Sequence, residues 1–311
     1  MDKIIIGIHG LANKSPQDIL ESWWKQSLLE GLEKNCQIPH LSINFQLVYW
    51  ADLLYKHSLH SDPNFNFDSQ YNTEPYTPAR SGALKKYKDS FLDNLRRDAL
   101  SLAGQAIDAL NVDLSLDSLT SLSLKKAKLV RDLQFYYDKN RQIADRLGQR
   151  QLAKTVLKDE LKKVLLKLKG YQIMLIAHSM GSIISYDVLR DLGQTEPTFT
   201  ISHFVTIGSP LGIPYVKTQI IRERHYDPQV RTPSIVSQSW VNYADKRDQV
   251  AVDTHLADDY GANGRTIHVE DNLVANDYEI PSQPGVYNHH KSYGYLRTPE
   301  LSKHVADFLI N

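Results

Sequence analysis

One serine has the neighbours that a nucleophilic serine requires. Ser179 lies in the run Ala-His-Ser-Met-Gly, after an apolar stretch at 173–176 and before an apolar helical pattern at 183–188. A tight strand-to-helix turn leaves room only for small side chains two positions before and two positions after the serine, and Ala177 and Gly181 are small. The pattern predicts that Ser179 attacks an acyl carbon. The alternative is a serine that merely caps an ordinary helix.

This run resembles the nucleophile elbow of the α/β-hydrolase superfamily, with Ala177 in place of the usual first glycine. A group of small bacterial lipases carries the same five residues. In that family a His-Gly pair closes an earlier strand, and the following loop supplies an N–H to the oxyanion hole. His9-Gly10 stands in that position, so the resemblance implies oxyanion donors at Leu11 and Met180. His9 itself is interpreted as a hydrogen-bonded structural residue.

The acid of the site should follow the serine in the chain, because the family order is Ser, then Asp or Glu, then His. Asp248 begins an Asp-x-Val turn after a strand pattern that ends at Tyr243, which is where the resemblance puts the acid. Asp245 is the alternative, although it fits turn initiation or pairing with Arg or Lys better. Asp253 is a more distant third candidate.

The base should be a histidine before the last helix. His290 begins a His-x-x-Tyr pattern there, and the resemblance implies that it takes the serine proton. The adjacent His289 remains an alternative. The histidine pair could also bind a metal, but no carboxylate or cysteine with ligand spacing lies nearby, so we expect neither a metal nor a cofactor.

Together these residues imply a serine hydrolase that cleaves carboxylic esters, in the manner of an esterase or lipase, through an acyl-enzyme on Ser179. Thioesterase or acyltransferase chemistry would use the same triad. A different class of function also stays open, namely a non-catalytic protein of the same fold that binds a small ligand or another protein.

Strand and helix patterns alternate along the chain, which predicts an α/β fold with a mostly parallel sheet flanked by helices. The resemblance implies the α/β-hydrolase fold. Because the first strand pattern already begins at residue 3, we expect a reduced sheet without the early antiparallel strands. The predicted strands are 3–8, 43–50, 171–177, 200–207, 239–243 and 265–269, and a closing helix is predicted at 299–309.

The stretch 53–150 departs from this alternation and predicts a helical insertion, or cap, between core segments 1–52 and 151–311. Apolar residues at helical spacing continue over 129–147. Insertions in this fold usually shape the substrate pocket. The aromatic residues at 65–76 could line its entrance, or could merely anchor a long loop.

Bulk properties exclude several classes. The 311 residues carry no formal net charge, so nothing indicates a nucleic-acid partner. The single cysteine, Cys36, excludes an intramolecular disulfide framework. No leader and no membrane-spanning stretch is recognisable, and we expect a cytoplasmic protein.

The neutral total conceals one basic region. Residues 125–169 contain 14 Lys or Arg and 5 Asp or Glu, a net charge of +9. We therefore consider weak association with anionic surfaces such as lipid headgroups, although a solvated helix face is the favoured interpretation.

Overall fold

The computed structural model describes residues 1–59, 75–80, 84, 86–87, 133–223 and 229–311. Most of the predicted aromatic loop and of the predicted cap therefore lies outside the described residues.

A six-stranded sheet forms the centre of the protein, and all of its strands are parallel. Its strands are β1 (Lys3–Ile8), β2 (Phe45–Val48), β5 (Gln172–His178), β6 (Ile201–Ile207), β7 (Val236–Ala244) and β8 (Val269–Leu273). The strand order across the sheet is β2-β1-β5-β6-β7-β8. The chain is therefore an α/β protein, as predicted.

Helices cover both faces of this sheet, because each crossover between parallel strands must pass over one face. A short 3₁₀ turn at Ala51–Leu53 follows β2. The α-helices with both ends in the described residues are α1 (Gln17–Cys36), α2 (Ala153–Lys167), α3 (Met180–Thr195), α4 (Pro214–Arg222), α5 (Ser292–Leu296) and α6 (Pro299–Ile310).

The first strand shows how the two faces are filled. Its side chains alternate, and Ile4, Ile6 and Ile8 pack in the core layer that contains α2 and α3. Ile5 packs on the opposite layer with α1 and α6. Both layers are apolar, which explains why the strand is a continuous apolar run in the sequence.

The predicted helix over 129–147 is wrong beyond residue 137. Residues 133–137 are helical, but β3 (Gln142–Ala144) and β4 (Arg150–Leu152) form an antiparallel hairpin. The Asp145 carboxylate accepts the backbone N–H groups of Leu147 and Gln149, and Gly148 has a φ of 81°. Turn formation therefore outweighs the helical spacing of the apolar residues. Leu147, which that spacing placed on the apolar face of a helix, is 83% exposed.

The described parts of the predicted insertion pack against the core at several places. Near α1, the Tyr76 hydroxyl and the Ala79 N–H both donate to the carboxylate of Glu30. On the other face of the sheet, the Tyr136 hydroxyl donates to Asp187 on α3 at 2.9 Å.

Within the described part of the chain, no helix is both long enough and apolar enough to cross a membrane.

Candidate active site

Ser179 occupies a strained turn at the carboxyl end of a central strand. It lies between the end of β5 and the start of α3, with φ 54° and ψ −128°. A positive φ is costly for a side chain with a Cβ and persists only where the surroundings enforce it. Here the Ser179 N–H donates to the carbonyl of Ile207 in the neighbouring strand at 3.1 Å.

Close packing around this turn explains its small residues. A Cβ on Gly181 would lie 2.8 Å from the carbonyl oxygens of Ile8 and His9 at the end of β1. A Cβ on Gly10 would lie 2.7 Å from the Cβ of Ser179. The loop after β1 and the serine turn therefore approach each other more closely than any larger residue would allow.

Three predicted residues form one hydrogen-bonded series. The Nε2 atom of His290 lies 2.9 Å from the Ser179 Oγ, and its Nδ1 atom lies 2.8 Å from Asp248 Oδ2. A carboxylate can only accept, so Nδ1 carries the proton and Nε2 offers its lone pair to the serine hydroxyl. The Asp248 side chain is fully buried, whereas His290 remains 25% exposed.

The alternative acids lie elsewhere. Both carboxylate oxygens of Asp245 bind the Arg247 guanidinium, at 2.9 and 2.6 Å. Asp245 also accepts the N–H of Asn276 at 2.6 Å. Asp253 accepts the N–H of His255, and burial raises the pKa of Asp253 to about 6.

The alternative base, His289, also points away from the serine. Its Nδ1 atom lies 2.8 Å from the backbone carbonyl oxygen of Asn276, to which it donates. The neighbouring His290 reaches Ser179, so two adjacent histidines of one loop have different partners.

His9 orients the loop that follows β1. Its Nε2 atom accepts the backbone N–H of Trp50 at 3.1 Å, so Nδ1 carries the proton and donates to the Gly10 carbonyl at 2.7 Å. Burial, aided by the charge of Lys14, lowers the pKa of His9 to about 3, which keeps the ring neutral. Because a peptide is planar, fixing the Gly10 carbonyl directs the Leu11 N–H the opposite way.

The other predicted oxyanion donor begins a helix. Met180 is the first residue of α3, so its N–H has no acceptor within the helix. On the facing loop, the Lys14 Nζ donates to the carbonyls of Leu11 at 2.6 Å and Ala12 at 3.1 Å. These bonds tie down both sides of Leu11, since His9 already holds the preceding carbonyl.

His178 was not among the predicted site residues, although it precedes the serine. Its Nε2 atom donates to the backbone carbonyl of His290 at 2.8 Å, and the two rings lie 4.7 Å apart. Burial, followed by the nearby His290, lowers the pKa of His178 well below 6.5. His178 is therefore a neutral side chain that helps to hold the loop carrying His290.

Gly208 and Tyr295 were also missed. Gly208 follows β6 with a φ of 54°, and a Cβ there would lie 2.9 Å from Asp248 Oδ2 and 3.2 Å from His290 Nδ1. The Tyr295 hydroxyl lies 2.8 Å from Asp248 Oδ2. A glycine directly after a buried strand was a usable signal, whereas no spacing rule pointed to Tyr295.

Among the residues with described positions, no group of three or more His, Cys, Asp or Glu could hold a metal ion.

Many cations of the basic region form ion pairs with acids outside it. Lys158 pairs with Asp191, and Lys169 pairs with Glu196 at 2.9 Å. Lys154 pairs with Asp187 at 2.8 Å and also with Glu223. The net charge of the segment therefore overstates the positive charge of this surface, and association with anionic surfaces stays a prediction.

Searches of the sequence against protein-family models and against curated proteins found no match.

Proposed function

We propose that this protein is a serine hydrolase of the α/β-hydrolase type that cleaves carboxylic esters through an acyl-enzyme on Ser179. The observation that carries the proposal is the series Ser179–His290–Asp248, with hydrogen bonds of 2.9 and 2.8 Å. Ser179 and His290 are 111 residues apart in the chain, so local sequence effects do not bring them together.

The sheet supports the finer fold assignment. The serine follows β5, the acid follows β7, and the histidine follows β8, which is the chain order of the α/β-hydrolase fold. The positive φ at Ser179 is the geometry of a nucleophile elbow. No antiparallel strand belongs to the described six-stranded sheet, in keeping with a reduced version of the fold.

In the first half of the proposed reaction, His290 Nε2 takes the Ser179 proton while Oγ attacks the ester carbonyl carbon. The carbonyl π electrons move to oxygen, and the N–H groups of Leu11 and Met180 stabilise that oxyanion. Collapse of the tetrahedral intermediate breaks the bond to the alcohol oxygen, which receives the proton from His290. Asp248 stabilises the imidazolium cation that exists between these two transfers.

In the second half, water replaces the alcohol. His290 removes a proton from water while the water oxygen attacks the acyl carbon. Collapse of the second tetrahedral intermediate breaks the bond to Ser179 Oγ, which receives the proton back from His290, and the carboxylic acid is released. A thiol leaving group or an alcohol acceptor would use the same steps, so thioesterase and acyltransferase activities are variants of this proposal.

The proposed substrate is a small-molecule ester or acyl compound in the cytoplasm. The alternative of a non-catalytic binding protein is less well supported, because a binding module has no need for a serine hydroxyl aligned with an imidazole lone pair.

Labelling with a fluorophosphonate probe tests the proposal, since the probe reacts only with an activated serine. We expect the wild type to be labelled and Ser179→Ala to be unlabelled. The matched control is Ser185→Ala, which changes a buried serine on α3, the helix that begins directly after Ser179. It should label like the wild type. A folded wild type that stays unlabelled, or a Ser179→Ala variant that labels, contradicts the proposal. A chain-length series of p-nitrophenyl esters, alongside matched thioesters, then defines the acyl preference.

A further inference from the structure

We propose that Tyr295 is a positioning residue that acts on the reaction through Asp248, by donating a hydrogen bond to the carboxylate oxygen that also binds His290. This inference rests on the proposed function of Ser179, His290 and Asp248. Its physical basis is the 2.8 Å separation between the Tyr295 hydroxyl and Asp248 Oδ2, with both side chains fully buried.

The direction of this hydrogen bond follows from a second contact. The backbone N–H of Asp245 lies 3.0 Å from the Tyr295 hydroxyl oxygen, and a backbone N–H can only donate. The tyrosine oxygen therefore accepts from Asp245, and its own hydrogen is directed to Asp248. Burial, together with the charge of Asp248, raises the pKa of Tyr295 well above 10, so the hydroxyl retains this hydrogen near neutral pH.

Three donors together fix the carboxylate. His290 Nδ1 and the Tyr295 hydroxyl meet at Oδ2, and the N–H of Val250 donates to Oδ1 at 2.9 Å. Rotation of the carboxylate would break all three bonds. The arrangement thus holds Oδ2 against the imidazole before any substrate arrives, at no cost during the reaction.

The local chain makes this arrangement compact. His290 lies just before α5, and Tyr295 lies on that helix, so one short segment supplies both donors to Oδ2. Gly208 leaves the necessary space, because a Cβ at that position would also lie 3.0 Å from the Tyr295 ring.

Tyr295 should also influence proton binding by the Asp248–His290 pair. A donor to the carboxylate competes with the proton, so its loss makes the pair bind a proton more readily. The titratable and charged groups around this pair come from several elements. They are His178 from β5, Asp245 and Arg247 from the loop after β7, Lys14 from the loop after β1, and Lys291, which follows His290 in the chain.

The first experiment measures the fluorophosphonate labelling rate of Tyr295→Phe against pH. We expect about a ten-fold slower reaction at its optimum, as for the loss of one buried hydrogen bond to a charged group. The acid limb should also move to higher pH. Tyr293→Phe, a buried tyrosine of the same helix that packs against Trp23 and Tyr76, is the matched control and should change neither quantity.

A double-mutant cycle tests whether the effect passes through Asp248. In an Asp248→Asn background, adding Tyr295→Phe should slow labelling by less than about two-fold. An undiminished effect in that background, or a wild-type rate and pH profile in Tyr295→Phe, overturns the inference while leaving the serine hydrolase proposal intact.

A spectroscopic measurement keeps the inference testable without activity. The proton between His290 and Asp248 should give a downfield ¹H NMR resonance that His290→Ala removes. Tyr295→Phe should move this resonance further downfield, because Oδ2 loses a competing donor, and Tyr293→Phe should leave it in place. An unmoved resonance in folded Tyr295→Phe overturns the inference even if the wild type never labels.

Discussion

Two aspartates, Asp187 on α3 and Asp248 after β7, have fully buried side chains but differ in the charge of the groups around them. Asp187 lies 2.8 Å from the Lys154 ammonium and 3.3 Å from the Arg190 guanidinium. Asp248 accepts hydrogen bonds from the Val250 N–H, the Tyr295 hydroxyl and His290 Nδ1, and of these three groups only His290 can take up a proton and a positive charge. The charge of Asp187 is thus balanced by two permanent cations, whereas Asp248 gains a cationic partner when His290 takes a proton.

This difference separates a structural carboxylate from one suited to catalysis. Burial alone would raise the pKa of Asp187, but the charges of Lys154 and Arg190 outweigh burial and hold that pKa below 3.8. A buried ion pair that loses one member leaves an uncompensated charge, which is strongly destabilising. A buried carboxylate facing a neutral imidazole instead favours formation of the imidazolium, which the proposed mechanism requires.

The largest expected effect is the loss of reactivity of Ser179 when Asp248 is changed. Asp248→Asn should slow fluorophosphonate labelling by about 10³- to 10⁴-fold, because an amide at this position favours the imidazole tautomer that cannot accept the serine proton. Labelling kinetics at neutral pH measure this. Asp245→Asn is the comparison variant, since Asp245 pairs with Arg247, and it should label within a few-fold of the wild type. If Asp245→Asn were labelled slowly and Asp248→Asn at the wild-type rate, the assignment of Asp248 as the acid would be wrong.

The second expected effect is on stability at Asp187. Asp187→Asn should lower the free energy of unfolding by about 3 kcal/mol, because Lys154 and Arg190 then lose their fully buried partner and keep the more exposed Glu223. Urea unfolding measures this, with the exposed Asp258→Asn as the control, expected within about 0.5 kcal/mol of the wild type. Below its melting temperature, Asp187→Asn should label at about the wild-type rate. A stable Asp187→Asn that labels slowly would reverse the roles of the two aspartates.

The smallest expected effect is the loss of folding stability in mild acid. The folded pKa values of His9 and His203 are about 3 and 4, mainly because of burial, so the unfolded chain binds more protons below pH 6.5. Their contribution to stability is complete above pH 6.5 and is lost as the pH falls towards 4. Asp253, with its pKa raised to about 6, offsets part of this loss. Asp187 has no share in it, since its contribution is lost only below pH 3.8.

Urea unfolding between pH 6.5 and 4 checks this expectation. His203→Gln should lose less stability over that range than the wild type, and Asp187→Asn should lose as much as the wild type. A pH dependence that disappears in Asp187→Asn would mean that the ion pairs of Asp187, and not the buried histidines, respond to mild acid.

Prediction from the sequence succeeded where short segments carry the information. The alternation of apolar strands and helices gave the α/β class, because a buried parallel strand must be apolar on both faces. The small residues around Ser179 indicated its turn for a similar reason, since the steric limits act within five positions. The prediction of a helix over 129–147 was wrong beyond residue 137 because the carboxylate of Asp145 favours a turn. The spacing of apolar residues does not reveal this preference.

The sequence by itself therefore determined the fold class, the turn at Ser179 and a short list of candidate acids and bases. Only the tertiary structure decided between neighbours: Asp248 contacts His290 while Asp245 contacts Arg247, and His290 reaches Ser179 while His289 contacts a backbone carbonyl. The tertiary structure alone also brings Tyr295 to Asp248, from which it is 47 residues away in the chain, and no local sequence pattern indicates this contact. Hydrogen bonds and steric fit between distant segments depend on atomic positions to within a few tenths of an ångström, and those positions exist only once the chain has folded.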